Sequence, residues 1–279
     1  MAQIALVTGT SSGIGLEAAI HLAQAGFRVV ATMRDLDRRA ALDERTKQAG
    51  VSLDVRVLDV EQPQSIDGCV QDVLRLYGAI DVLVNNAGAG YLGAMEQTPD
   101  TALQRMMEVN FFGVWRATQA VFPAMRAAGR GRVITVTSIG GLVGQPFNDA
   151  YCASKFAVEG MMESLVPVAR RLGILVSLIE PGAVTSEFVS TVLGATDITS
   201  ETDGAYDAMR AAYESAVNRS YAESAQSGAD VAAVIVEAAT TTAPRFRYQT
   251  SDLVRAIVAR KYVDPTGESV VQMTGARLP

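Results

Sequence analysis

Tyr151 and Lys155 stand four residues apart in "YCASKFAVEGMMESL", a stretch that is otherwise mostly small and apolar. On a helix this spacing puts a phenol and an ammonium on one face, a turn apart. A phenol in water holds its proton up to a pH of about 10. A neighbouring cation stabilises the phenolate, which makes the phenol a usable acid–base group nearer neutral pH. The competing reading is a solvated i,i+4 pair on an exposed helix face. What else the chain brings to that helix decides between the two.

A second constellation lies at the start of the chain. In "VTGTSSGIGLE" an apolar run leads into Gly9, Gly13 and Gly15. Glycines there let a strand turn tightly into a helix and let the backbone approach a diphosphate closely. The helix start then offers unpaired amides and a partial positive charge. Ser11, Ser12 and Thr8 add hydroxyls, and Ile14 stands between the last two glycines. The next strand ends in "ATMRDLD", with Met33 where a ribose-reading acid is expected and Arg34 beside it. Arg34 suits a 2′-phosphate, which favours NADP(H) over NAD(H), whereas Asp35 as ribose ligand would reverse that preference.

These residues need a scaffold, and the apolar pattern supplies one. Strand-length runs at 4–9, 28–33, 52–60, 80–88, 131–138 and 174–182 alternate with helical periods at 13–26, 35–50, 63–78, 99–128 and 149–172. Fully apolar β-branched strands linked by helices predict a parallel sheet covered on both faces. The expected fold is an α/β, doubly wound Rossmann type in a single domain over 1–279. Pro167 predicts a kink in the last of these helices. The alternation breaks at 187–229, an insertion expected to cover the ligand, and 251–279 reads as a short C-terminal extension.

Composition narrows the function. The chain has 279 residues, is 49% hydrophobic and carries a net charge of −6, which gives no reason to expect nucleic acid as a partner. Cys69 and Cys152 are far apart and in no metal-like spacing, so no metal is expected. No run reaches membrane-spanning length, and the N-terminus lacks the pattern of a signal peptide, so a cytoplasmic protein is expected.

"TGTSSGIG" (8–15), "NNAG" (85–88), Asn110, Ser138 and "YCASK" (151–155) together resemble the short-chain dehydrogenase/reductase family over about residues 3–250. "GGLVGQPFNDAYCASKFAVEGMMESL", with "ATMRDL" and "VSLIEPGAV", is most similar to the hydroxysteroid and retinol dehydrogenase branch. The resemblance implies an oxidoreductase with Tyr151 as acid and base, Ser138 holding the substrate oxygen, and Lys155 also binding the nicotinamide ribose. It implies that Asn110 holds a water relaying protons to Lys155. It gives cofactor roles to Asp59, Val60, Asn86, Ala87 and Gly88, and to Pro181, Gly182, Val184 and Ser186, with Thr185 an alternative to Ser186.

Tyr91, Leu142, Val143, Phe147, Asn148 and Phe188, with Ser138, are expected to line the substrate pocket. That mostly apolar set suits a hydrophobic alcohol or ketone. By analogy with the family, a homodimer or homotetramer is expected. The alternative function is a catalytically silent NAD(P)-sensing protein on the same fold. It needs only the glycine turn and leaves Tyr151, Lys155, Ser138 and Asn110 unexplained.

Overall fold

All five residues of the first apolar run lose their exposure to solvent, as a strand covered on both faces must. A computed structural model of the chain describes residues 2–185 and 204–263, with Gln272, Met273, Gly275 and Ala276 of the tail. The run becomes β1 (Ile4–Thr8), which leads into α1 (Gly13–Gln24) and β2 (Arg28–Met33). Then follow α2 (Ala40–Ala49), β3 (Asp54–Val57), α3 (Pro63–Tyr77) and β4 (Val82–Asn85). The second half runs α4 (Asp100–Met107), α5 (Gly113–Ala128), β5 (Gly131–Val136), α6 (Asp149–Arg171) and β6 (Ile174–Glu180). Beyond it lie β7 (Val184–Thr185), α7 (Asp207–Ser224), β8 (Gln226–Ser227), α8 (Gly228–Thr240), β9 (Arg247–Gln249) and α9 (Asp252–Val263).

The main sheet is seven-stranded in the order β3-β2-β1-β4-β5-β6-β9, with every pair parallel. The chain winds outward one way from β1 and then the other way from β4. The crevice beyond the carboxyl ends of those two strands is where such sheets bind ligands. One face is closed by α3, α5 and α6 through residues such as Val73, Val121 and Met162. The opposite face is closed by α1, α2 and α8 through Ile20, Leu42 and Ile235. The doubly wound fold expected from the strand pattern is the fold observed.

Local differences have local causes. The helix expected over 35–50 is broken, because the Asp35 side chain accepts from the Asp37 backbone N–H at 2.9 Å and caps a separate short turn at Leu36–Arg38. The helix expected over 99–128 carries a π-turn at Glu108–Phe112 between α4 and α5. A π-turn shifts the hydrogen-bond ladder by one residue and commonly marks a functional site. The helix α6 runs as one element past Pro167. Residues 187–203 of the expected insertion, and most of the tail beyond Val263, lie outside the described residues; the rest of the insertion holds α7 and β8. Among the described residues no helix is long and apolar enough to cross a membrane.

The helix α8 begins with a reciprocal cap, in which the Ser227 hydroxyl accepts from Asp230 N–H and the Asp230 carboxylate accepts from Ser227 N–H. Its first residue abuts the glycine turn, since a Cβ on Gly228 would fall 3.2 Å from the Gly13 carbonyl. Loss of an N-cap costs about 1 kcal/mol. Ser227→Ala should therefore lower the melting temperature by roughly 2–4 °C, measurable by calorimetry.

Candidate active site

A cleft of about 790 Å³ opens at the carboxyl ends of the central strands. Its floor at one end is the glycine turn, with Gly9, Ser11, Ser12, Gly13, Ile14 and Gly15 all lining it. The helix α1 has no side-chain cap at Ser12 and no acid in its first turn. Its positive end therefore faces the cleft uncompensated, as binding of a diphosphate requires. The turn is clamped from β4: the Asn86 side chain donates to the Thr8 and Gly9 carbonyls at 3.0 and 2.9 Å. Asn86 and Ala87 in turn donate their backbone N–H groups to the Thr8 hydroxyl, both at 3.0 Å. Gly15 packs so tightly beneath that a Cβ there would fall 2.2 Å from both the Gly9 carbonyl oxygen and Asn86 Nδ2.

Along one wall lie Arg34, Asp59 and Val60, then Ala87 and Gly88, with Pro181, Gly182 and Val184 on the far side. Arg34 is 53% exposed and lies 3.6 Å from Glu61. Arg38 lines the same end of the cleft. Val184 pairs with Gln226 across the short β7–β8 ladder, and its backbone hydrogen-bonds the Tyr221 hydroxyl of α7. Ser186 lies outside the described residues. The cradle, the uncapped helix and the lining residues fit a nicotinamide dinucleotide.

The helix α6 begins directly below the end of β5, which brings Tyr151 and Lys155 under Ser138. Tyr151 is half-buried at the cleft and hydrogen-bonds Ser138. The Ser138 hydroxyl also accepts the Gly140 N–H at 3.0 Å, which fixes its orientation. Lys155 is 5% exposed; its ammonium donates to the Val136 carbonyl at 3.2 Å and lies 5.9 Å from the centre of the Tyr151 ring. Burial pushes the Tyr151 phenol above its ordinary range, opposed by the Ser138 hydrogen bond. Burial likewise brings Lys155 down to about 8, opposed by the charge of Glu159. The expected acidification of Tyr151 by Lys155 is not seen in this geometry, where removal of the phenol from water dominates.

Asn110 is fully buried in the π-turn. Its side chain accepts from Ala89 N–H at 2.8 Å and donates to the Ala89 carbonyl and the Ser154 hydroxyl at 2.9 and 3.0 Å. Ser154 donates onward to the Tyr151 carbonyl at 2.7 Å. The Asn110 side chain thus ties the loop after β4 to α6, and Gly88 is held between Asn110 and Lys155.

The substrate side needs correction. Tyr91 and Asn148 line the cleft, and Asn148 donates to the Tyr213 hydroxyl at 2.9 Å. Leu142 and Val143 do not line it. They pack against Val254 and Val258 of α9, a contact between segments too distant in sequence for a local pattern to show. Phe147 sits behind the wall with Leu92, Ala94 and Tyr213, at a backbone φ of 61° that side chains other than glycine rarely adopt. Phe188 lies outside the described residues. Sequence reasoning missed Met106 of α4 and Tyr213, Val217 and Tyr221 of α7, all of which line the cleft. The spacing of the α7 residues, 213, 217 and 221, is a helical stripe that could have indicated them.

Comparison with known proteins agrees with this geometry. Residues 3–197 match the family model for short chain dehydrogenases. A cattle (Bos taurus) protein named retinol dehydrogenase 8 is 38% identical over 275 residues, covering 96% of this chain and 87% of its own length. The human protein named 17-beta-hydroxysteroid dehydrogenase type 1 is also 38% identical over 275 residues, covering 96% and 83%. A metagenomic short-chain oxidoreductase solved in complex with NADP superposes with a TM-score of 0.70 at 28% identity, over 88% of this chain and 96% of that one. The chain belongs to the short chain dehydrogenase family, on the branch that holds the retinol and hydroxysteroid enzymes. It is an oxidoreductase acting on CH–OH groups.

The glycine cradle has a direct test. Gly15→Ala forces the Asn86 clamp and the turn apart and should weaken nucleotide binding at least about tenfold, a loss of roughly 1.4 kcal/mol. Fluorescence titration checks the affinity and a thermal melt checks the fold. Unchanged affinity would mean the turn is not the diphosphate seat.

Proposed function

We propose that this chain is an NADP(H)-dependent oxidoreductase that interconverts a hydrophobic alcohol and its ketone or aldehyde. The observation that carries the reading is the Ser138–Tyr151 hydrogen bond at the cleft floor, with Lys155 buried a turn further along α6. Two hydroxyls converge there on one point, where a substrate oxygen can meet both.

In the reducing direction, Tyr151 donates its proton to the carbonyl oxygen while Ser138 hydrogen-bonds the same oxygen and stabilises its developing charge. Burial keeps Tyr151 protonated at neutral pH, which suits this role. In the oxidising direction, the Tyr151 phenolate takes the hydroxyl proton and becomes the phenol, and the Lys155 charge favours the phenolate from which that step starts. Nicotinamide, when bound, carries the hydride and in its oxidised form adds a positive charge over the site. Lys155 and the glycine turn hold its ribose and diphosphate, with Asp59 and Val60 at the adenine.

The cofactor choice rests on the end of β2. Asp35, the acid that could have read ribose hydroxyls, has its carboxylate engaged in its own turn. Arg34 lines the cleft with an exposed guanidinium, suited to a 2′-phosphate. Tyr91, Met106, Tyr213 and Val217 support a hydrophobic substrate. The relatives named for retinol and a hydroxysteroid point to substrates of that class. The same reading makes the enzyme a cytoplasmic homodimer or homotetramer, with Phe112 of the π-turn and Trp115 of α5 exposed and available for pairing. The sensing alternative has no use for a serine, a phenol and an ammonium gathered at the cleft floor.

NADPH oxidation against a panel of hydrophobic ketones and aldehydes tests the reaction. Tyr151→Phe should lower kcat by about 10³-fold with cofactor affinity nearly unchanged. Retained turnover would remove Tyr151 from the chemistry. Arg34→Ala should raise KM for NADPH by roughly tenfold and that for NADH far less. Equal effects on both would overturn the NADP(H) preference.

A further inference from the structure

Behind Lys155 the core carries charge that the reaction above does not use. Glu159 follows Lys155 by one turn of α6 and is 4% exposed. One of its carboxylate oxygens accepts from the Thr137 hydroxyl at 2.7 Å. The other accepts from Arg247 Nε and Nη2 at 3.2 and 3.1 Å. Arg247, on β9, also reaches the fully buried Glu180 of β6 at 3.2 Å and the exposed Glu163 at 2.8 Å. Gln249 donates to Glu180 as well.

Packing a helix onto a sheet calls for none of this. Apolar side chains of similar volume usually hold a core at least as well as a buried ion network. The network meets the segment that carries Ser138 at two places. Thr137 immediately precedes Ser138, so Glu159 grips the end of the strand that presents the Ser138 hydroxyl. The loop after Ser138 also rests on the glutamate stem, since a Cβ on Gly141 would fall 3.1 Å from Glu159 Cγ.

We propose that Glu159 is a positioning residue for the Tyr151/Lys155 pair. It locks the Ser138 strand end through Thr137 and keeps a negative charge one turn below the Lys155 ammonium, inside an ion network closed by Arg247 and Glu180. The inference rests on the reading of Tyr151 and Lys155 as the acid–base pair.

The electrostatics agree. Burial strips Lys155 of proton affinity, and Glu159 is the charge that opposes the loss. Burial raises the Glu159 carboxyl, and Thr137 of the strand end, Arg247 of β9 and Lys155 of its own helix oppose that rise and favour its charged form. Glu159 acts in turn on Glu180 of β6 and on Lys261 and Tyr262 of α9, where Glu163 also bears on Tyr262. Burial, and then repulsion from Glu159, pushes Glu180 up to about 7, so Glu180 loses most of its charge as pH falls below neutral. Removing the negative charge of Glu159 lets Lys155 and Tyr151 lose their protons at lower pH. Both effects move the alkaline limb of carbonyl reduction in the same direction, whichever group carries it.

The test compares pH profiles of kcat for NADPH-driven reduction in the parent, Glu159→Gln and Glu159→Asp. The Gln variant should move the alkaline limb down by roughly one pH unit, with KM for NADPH within about twofold. The Asp variant, which keeps the charge but shortens the reach to Thr137, should keep the parental limb and lose kcat. A limb that stays put in the Gln variant of an active enzyme overturns the proposal, as does an equal shift in both variants. An inactive parent would instead overturn the acid–base reading on which the proposal stands. Should Glu159→Gln fail to fold, Arg247→Gln removes the cation facing Glu159 and should move the limb up; an unmoved limb there counts equally against the proposal.

Discussion

A half-buried phenol and a buried ammonium share the bottom of a cleft, and each is less stable charged there than in water. Burial drives the phenol to keep its proton and the ammonium to shed its own. The two tendencies bring the pair toward a neutral state, and only fixed dipoles and charges nearby can hold it elsewhere. Such groups surround it: the Ser138 hydroxyl on Tyr151, the Val136 carbonyl on Lys155, and the Glu159 carboxylate one turn below. A dry site makes each of these interactions stronger than it would be in water and makes its loss correspondingly costly.

Holding those partners still is the task of the sheet. The six-residue register of β5 against β6, from Gly131↔Ile174 to Val136↔Ile179, sets where Ser138 emerges. The Asn110 side chain, carried on the π-turn, bridges the loop after β4 and Ser154 of α6, so the nucleotide wall and the catalytic helix share one anchor. The Asn86 clamp does the same between β4 and the glycine turn. The Asn86 amide therefore ties the two halves of the doubly wound sheet together at the crevice, and the Asn110 amide secures the second half within itself. These bonds survive changes in apolar packing elsewhere.

The parts legible in the sequence were those whose signal is local. The glycine turn, the Tyr151–Lys155 spacing and the alternation of strand and helix each occupy one short window, and the fold followed from them. What depends on partners distant along the chain was not legible. Leu142 and Val143 read as pocket residues because nothing nearby shows that Val254 and Val258 cover them. Asp35 read as the start of a long helix, whereas its side chain caps a separate short turn at the rim of the cleft. Glu159 looked like one more polar position on α6. Its meaning comes from Arg247, 88 positions further along the chain on β9.

That asymmetry separates chemistry from specificity. Among the described residues, Ser138, Tyr151, Lys155 and the glycine turn all belong to the first 185 residues, on or beside elements bound into the sheet. Part of the remaining cleft wall is built late in the chain. Tyr213, Val217 and Tyr221 of α7 supply it, on a helix with a single buried residue and therefore little packing to constrain its sequence. Tyr221 crosses the boundary, because its hydroxyl meets the Val184 backbone on the nucleotide side of the cleft. A change at Val217 can thus reshape the cleft without touching its nucleotide side. A change at Tyr221 cannot, because it reaches substrate and cofactor walls together.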